Sequence, residues 1–265
     1  MTAVNTPNAE LYYIKAGHGN RNLILFHGFG QDHTALIPFA ESIGNEYTCY
    51  IVDLYFHGKS IWPNDETPLE KNEWKLIIES ILTKNNIETF SVVGYSLGAK
   101  FALATLEAFP SRIEEVFLIA PDGISTNPWY SLATYPLLLR KAFKSMIDNH
   151  DRFTSLGRTL SKIGLVDKGL LRFAEYQMDT VEKRKRVYYS WVVFRHLEFD
   201  MKSISELINT YDIDLTVVVG KFDKVIKPEK MNRLLQHVPV HRFEIIEAGH
   251  NHLLGKEVAE KIFRS

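Results

Sequence analysis

Cysteine is nearly absent. The only one in 265 residues, Cys49, has no partner for a disulfide within the chain. It lies in the apolar run Tyr47 to Val52, where a buried structural thiol is expected. No stretch reaches the length of an apolar transmembrane helix. Met1 to Pro7 has neither the basic nor the apolar region of a secretory signal, so a cytoplasmic location is the expectation. Excess charge is absent as well: 31 Lys and Arg stand against 32 Asp and Glu, for a formal net charge of −1. That balance argues against a nucleic-acid partner. His-Glu-x-x-His is missing, and neither metal nor cofactor is implied. Internal repeats and low-complexity tracts are missing too. What remains is 45% hydrophobic and 24% charged, the balance of a globular protein. The length suits one large domain, or one domain with an insertion, and supports a large core without staples.

The chain reads as strands alternating with helices. Leu11 to Ala16, Leu23 to Phe26, Tyr47 to Leu54, Phe90 to Val93 and Val116 to Ile119 are apolar or β-rich runs. Helical patterns cover Thr34 to Ile43, Leu69 to Lys84 and Ala99 to Ala108. From Asp122 to about Leu207 the alternation stops, and only Val187 to Phe194 is ambiguous with a strand. It resumes with strands Leu215 to Val219 and Arg242 to Ile246, and helices Pro228 to His237 and Leu253 to Phe263. The pattern predicts a mostly parallel, doubly wound sheet, with a core of residues 1–121 and 208–265. Residues 122–207 are expected to form a helical insertion.

At the centre stands Gly94-Tyr95-Ser96-Leu97-Gly98, between an apolar run and a helix-forming stretch. A strand, sharp turn and helix of this kind present a serine in a strained backbone above the sheet, with the helix N-terminus behind it. A serine nucleophile needs a base, and the base needs an acid to orient it. Asp223 follows the strand Leu215 to Val219, and His250 follows Arg242 to Ile246. His252 is a rival base two residues on, expected inside the next helix, and Asp122 is a rival acid. Backbone N–H donors for an oxyanion are expected from Leu97, after the serine, and from Phe29 in His27-Gly28-Phe29-Gly30. His27 is read as a loop brace.

These motifs, in this order, resemble the α/β-hydrolase superfamily, in its serine-nucleophile branch with a helical cap after strand 6. The likeness runs from about Leu11 to Phe263. It implies Ser96 as nucleophile, Asp223 as acid, His250 as base, and Phe29 and Leu97 as oxyanion donors. The activity implied is hydrolysis of a carboxylic ester or thioester through an acyl-enzyme. Asp53 and His57-Gly58-Lys59-Ser60 match the family's Asp-x-x-Gly-His-Gly-x-Ser turn, except that Phe56 stands at the usual glycine. Lys100 occupies a site resembling one where a lyase of menaquinone biosynthesis carries an arginine for substrate carboxylates. A lyase or C–C hydrolase with the same triad is therefore the alternative, and a non-enzymatic binding module the third reading.

The insertion bears on substrate. Residues 123–200 carry 13 Lys and Arg against 8 Asp and Glu, a balance of +5 that leaves the rest of the chain at −6. An anionic or carrier-bound acyl substrate fits that asymmetry, and so does a solvated face around Lys183 to Arg186. Between Pro136 and Phe153, Leu138, Leu139, Ala142, Phe143, Met146 and Ile147 share one helical face beside Arg140, Lys141 and Lys144. Such a stripe can lid a pocket, pack on a core or touch a membrane surface. Aromatic residues such as Trp129, Tyr130, Phe173, Tyr176 and Trp191 suit an apolar cleft. Candidate substrate contacts are Tyr95, Lys100, Leu139 and Phe143.

Overall fold

The computed structural model describes residues 2–6, 9–63, 65–125, 128–149 and 178–263. In chain order, β1 (Thr2–Thr6), β2 (Ala9–Ala16), β3 (Arg21–Phe26), α1 (Ile37–Ser42), β4 (Tyr47–Val52), α2 (Lys71–Lys84), β5 (Phe90–Tyr95), α3 (Gly98–Ala108) and β6 (Ile113–Ile119) build the first stretch. Then come α4 (Pro128–Thr134), α5 (Leu137–Lys144), α6 (Val181–Val193), α7 (Met201–Thr210), β7 (Asp214–Gly220), α8 (Asn232–Leu235), β8 (Arg242–Ile246) and α9 (Lys256–Phe263).

The strands form one sheet in the order β1-β2-β4-β3-β5-β6-β7-β8. β1 and β2 pair antiparallel, β2 runs antiparallel to β4, and the remaining pairs are parallel. Every residue of β4 and β5 is buried, as continuous apolar strands covered on both faces should be. β1 is absent from the sequence reading because Thr2 to Thr6 offers almost no apolar pattern.

α2 buries Trp74, Ile77, Ile78, Ile81 and Leu82, the face that its 3.6-residue spacing predicts. Trp74 Nε1 donates to Thr105 Oγ1 on α3 at 3.0 Å, and Thr105 Oγ1 donates to Phe101 O, so the polar atoms in this contact are paired.

The chain divides into two compact units. One comprises Met1–Asn64, Leu69–Ser125 and Leu197–Ser265; the other comprises Asp65–Pro68 and Thr126–His196. The boundary expected at Leu207 therefore falls at His196. α7 accounts for the shift: it buries Met201, Ile204 and Ile208 and packs against α3 and α8 of the sheet-bearing unit. In sequence its helical pattern is indistinguishable from that of the insertion.

In the second unit the ambiguous run Val187 to Phe194 lies mostly in the helix α6. Thr180 caps this helix, its side chain accepting from Lys183 N–H at 3.2 Å. Arg184, Val187, Tyr188 and Val192 are buried at helical spacing, which overrides the β preference of Val and Tyr.

Candidate active site

β5 ends at Tyr95, and the next residue turns sharply. Ser96 has φ +50°, a left-handed conformation that costs a non-glycine residue about 1 kcal/mol or more. The turn is held on both sides: Ser96 N–H donates to Ile119 O at 2.9 Å, and Asp122 N–H donates to Ser96 O at 3.0 Å. Gly98 is required here because a Cβ would lie 2.1 Å from Phe26 O. The side chain thus emerges at the C-terminal edge of the sheet, with α3 starting behind it.

β7 and β8 end beside that edge, their register closing on Gly220 opposite Ile246. Lys221 N–H donates to Ile246 O and Phe222 N–H to Ala248 O, which ties the two following loops together. Across them, His250 Nε2 stands 3.0 Å from Ser96 Oγ. His250 Nδ1 stands 2.6 Å from Asp223 Oδ2. The other carboxylate oxygen of Asp223 accepts from the N–H groups of Val225 and Ile226 at 2.7 and 2.9 Å. Burial by itself would raise the pKa of Asp223, but the hydrogen bond from His250 and these N–H groups hold it below the usual carboxylate range. Asp223 is thus an ionised acceptor facing Nδ1 of His250, while Nε2 of the same ring faces Ser96 Oγ.

Leu97 follows Ser96 in the turn, and Phe29 follows Gly28, where a Cβ would come within 2.8 Å of the Tyr95 ring. Among the described residues, neither the Leu97 nor the Phe29 N–H donates a backbone hydrogen bond. The loop carrying Phe29 is braced by side chains: Gly28 N–H donates to Gln31 Oε1 at 2.9 Å, and His33 N–H donates to Asp53 Oδ1 at 2.6 Å. Asp53 also accepts from Lys59 N–H, while Ser60 Oγ donates to Asp53 O. Gln31 and His33 are parts of this support for which the sequence carries no signal. Phe56 takes φ +66°, so the departure from glycine leaves a left-handed phenylalanine in the turn.

His27 is fully buried beneath this loop. Its Nδ1–H donates to Gly28 O at 2.8 Å, and Nε2 accepts from Leu54 N–H at 3.0 Å, the pattern of a neutral ring. Burial lowers its pKa from 6.5 to about 4. Below pH 6.5 the unfolded chain binds a proton that the folded one refuses, so this stability is complete above pH 6.5 and is lost progressively as pH falls towards 4. The loss expected is about 3 kcal/mol. His27→Gln, which does not titrate, should flatten the decline; urea midpoints at pH 7.5 and pH 5 check it, and an equal decline in both proteins would count against it.

The family model described as the alpha/beta hydrolase fold matches residues 21–257. The chain belongs to this family. Two named relatives are a probable lysophospholipase, BODYGUARD 1, of Arabidopsis thaliana and Lipase 1 of Psychrobacter immobilis. The first is 25% identical over 258 residues, 85% of this chain and 53% of that protein. The second is 23% identical over 250 residues, 91% of this chain and 75% of that protein. The chain thus spans about half the length of BODYGUARD 1, and 35% of the related BODYGUARD 2. A thermophilic esterase from Thermogutta terrifontis shares the fold with a TM-score of 0.71 at 17% identity, covering 100% of this chain and 97% of that one.

Within the hydrolase fold, several expected positions take a different role. His252 is not inside the next helix; it shares a short 3-10 turn, His250–His252, and is exposed. Tyr95, read as a substrate contact, is buried and its hydroxyl donates to His250 O at 2.8 Å. Lys100 does not reach out to the surface: it is 7% exposed, with Nζ 3.9 Å from Asp122 Oδ2. Asp122, the rival acid, is engaged there while Asp223 faces His250.

In the second unit, Phe143 packs edge-on against Tyr188, with ring centroids 5.2 Å apart, and joins the cluster of Ile147, Tyr188 and Val192. Leu137, Leu138 and Leu139 are exposed on α5. The run Lys183 to Arg186 is not one basic face. Arg184 is buried, its Nε donating to Ile147 O at 2.6 Å, and Lys183 pairs with Asp179. The end of the stretch Pro136 to Phe153, beyond residue 149, and Phe173 and Tyr176 lie outside the described residues. No helix among those described is long and apolar enough to cross a membrane.

Proposed function

We propose that this protein is a serine hydrolase of carboxylic esters or thioesters that works through an acyl-enzyme. The observation that carries this reading is the continuous chain from Ser96 Oγ through His250 to Asp223, at 3.0 and 2.6 Å. His250 Nε2 takes the Ser96 proton as Oγ attacks the substrate carbonyl carbon. The carbonyl oxygen becomes an oxyanion, met by the N–H groups of Phe29 and Leu97. His250 then gives its proton to the leaving alcohol or thiol as the bond breaks, leaving the acyl group on Ser96. A water molecule, deprotonated by the same imidazole, attacks that acyl group; Ser96 departs with the proton and the acid is released. Asp223 stabilises the imidazolium at both stages without taking its proton.

Names among the relatives, lysophospholipase and lipase, support an ester of a lipid-like acyl group. Of the basic run, buried Arg184 is withdrawn from any anionic substrate. The lyase alternative draws no support from Lys100, which is engaged by Asp122.

The test is labelling with a fluorophosphonate, which should modify the protein once, on Ser96, and not modify Ser96→Ala. A screen of ester and thioester chain lengths then names the acyl group. Labelling that survives in Ser96→Ala would end the proposal.

A further inference from the structure

The side chain just before Ser96 meets both His250 and the loop that carries Phe29. Tyr95 is 3% exposed at the end of β5. Its ring lies 5.4 Å from the His250 imidazole, the planes 33° apart. On another side it meets the loop of Phe29 so closely that a Cβ on Gly28 would come within 2.8 Å of ring atoms Cδ1 and Cε1. Its hydroxyl donates to the backbone carbonyl of His250 at 2.8 Å.

The base needs such support because of where it sits in the sheet. β8 is the last strand of the sheet among the described residues and is half-buried along most of its length. Two backbone hydrogen bonds fasten that loop to the acid-bearing loop, at Ile246 and Ala248. They align His250 with Asp223. Neither sets the distance from His250 to the serine, which stands on β5 with β6 and β7 between. The Tyr95 hydroxyl spans that gap, from the residue next to the nucleophile to the peptide of the base.

From this juxtaposition we infer that Tyr95 is a positioning residue: its hydroxyl ties the backbone of His250 to the nucleophile turn and so holds Nε2 at proton-transfer distance from Ser96. This rests on the serine-hydrolase reading above and adds a residue to it. Burial, with the negative charge of Asp223 nearby, pushes the phenol pKa up, so the group stays a donor through the working range of pH. The ring fills space between the loops. The hydroxyl alone carries the tether.

Tyr95→Phe separates the two, keeping the ring and removing one hydrogen bond. The full-length variant is compared with the parent in three ways: p-nitrophenyl acetate turnover, fluorophosphonate inactivation rate, and the low-field proton resonance of His250 Nδ1–H. The tether predicts that kcat and the inactivation rate constant both fall about tenfold, what one ordinary hydrogen bond is worth. KM should stay within about twofold, since substrate contacts are unchanged. The fraction of protein that finally labels should match the parent, and the low-field resonance should shift or broaden.

A fall in the labelled fraction that accounts for all lost activity would mean Tyr95 only supports folding. Rates within twofold of the parent, with an unmoved resonance, would overturn the inference while leaving Ser96 as nucleophile. If the parent itself fails to label, the hydrolase reading fails instead. The resonance then still decides whether the hydroxyl positions His250: an unmoved signal in Tyr95→Phe overturns the tether.

Discussion

His250→Ala is expected to lower kcat by roughly a thousandfold or more, while His252→Ala keeps most of the activity. The two histidines share one turn and look alike in sequence, but only His250 stands between Ser96 and Asp223. Its side chain is 13% exposed against 0% for Asp223, so the pair is largely shielded from water. His252 is exposed, and its N–H donates to Gly249 O, so it helps only to shape the turn. On the proposed mechanism, loss of the imidazole removes the base, and what survives comes from binding and the proposed oxyanion donors. Turnover of p-nitrophenyl acetate by both variants measures the contrast. The reverse ranking would show that the base is His252.

Asp223→Asn should cost about four orders of magnitude in kcat while the fold survives. The direction follows from the hydrogen bonds around the carboxylate. Val225 and Ile226 N–H groups both point at Oδ1, so an asparagine must keep its oxygen there and turn its NH2 towards His250. Imidazole Nδ1 must then accept rather than donate. Its proton moves to Nε2, facing Ser96 Oγ, and the ring can no longer take the serine proton.

The carboxylate also stabilises the fold by virtue of its depressed pKa. That contribution is present above about pH 4 and disappears as pH falls through the lower folded value. Asp223→Asn should therefore lose activity at neutral pH and weaken the fold little under strong acid. Circular dichroism with kcat on the same samples reads both. Near-normal turnover in this variant would mean that another group orients His250.

Much of this was legible in the chain. Phe90 to Val93 is a continuous apolar run, Gly94 to Gly98 is a strand-to-helix turn, and the helix that follows is rich in alanine and leucine. Each is a local pattern, so neighbouring residues suffice to predict it. The positions of Asp223 and His250 just beyond two strands were legible for the same reason. Thr2 to Thr6 forms a strand that its composition does not announce, because what makes it a strand is its pairing with β2. Val187 to Phe194 and the helix Met201 to Thr210 misled in a related way: β-branched residues and a helical stripe both occur in either context, and the packing partner decides between them.

By itself the sequence determined the family of fold, the order of the candidate nucleophile, acid and base along the chain, and a buried environment for Cys49. These follow from residue type and spacing along a few turns of chain. Tertiary structure decided the rest, because the partners are remote. His250 meets Ser96 from 154 residues away and Asp223 from 27. Tyr95 reaches the His250 carbonyl across 155 residues. Lys100 turns towards Asp122 instead of solvent, and Arg184 is drawn inside to satisfy the carbonyl of Ile147. A side chain's type sets what bonds it can make; only the folded chain brings the atoms that complete them.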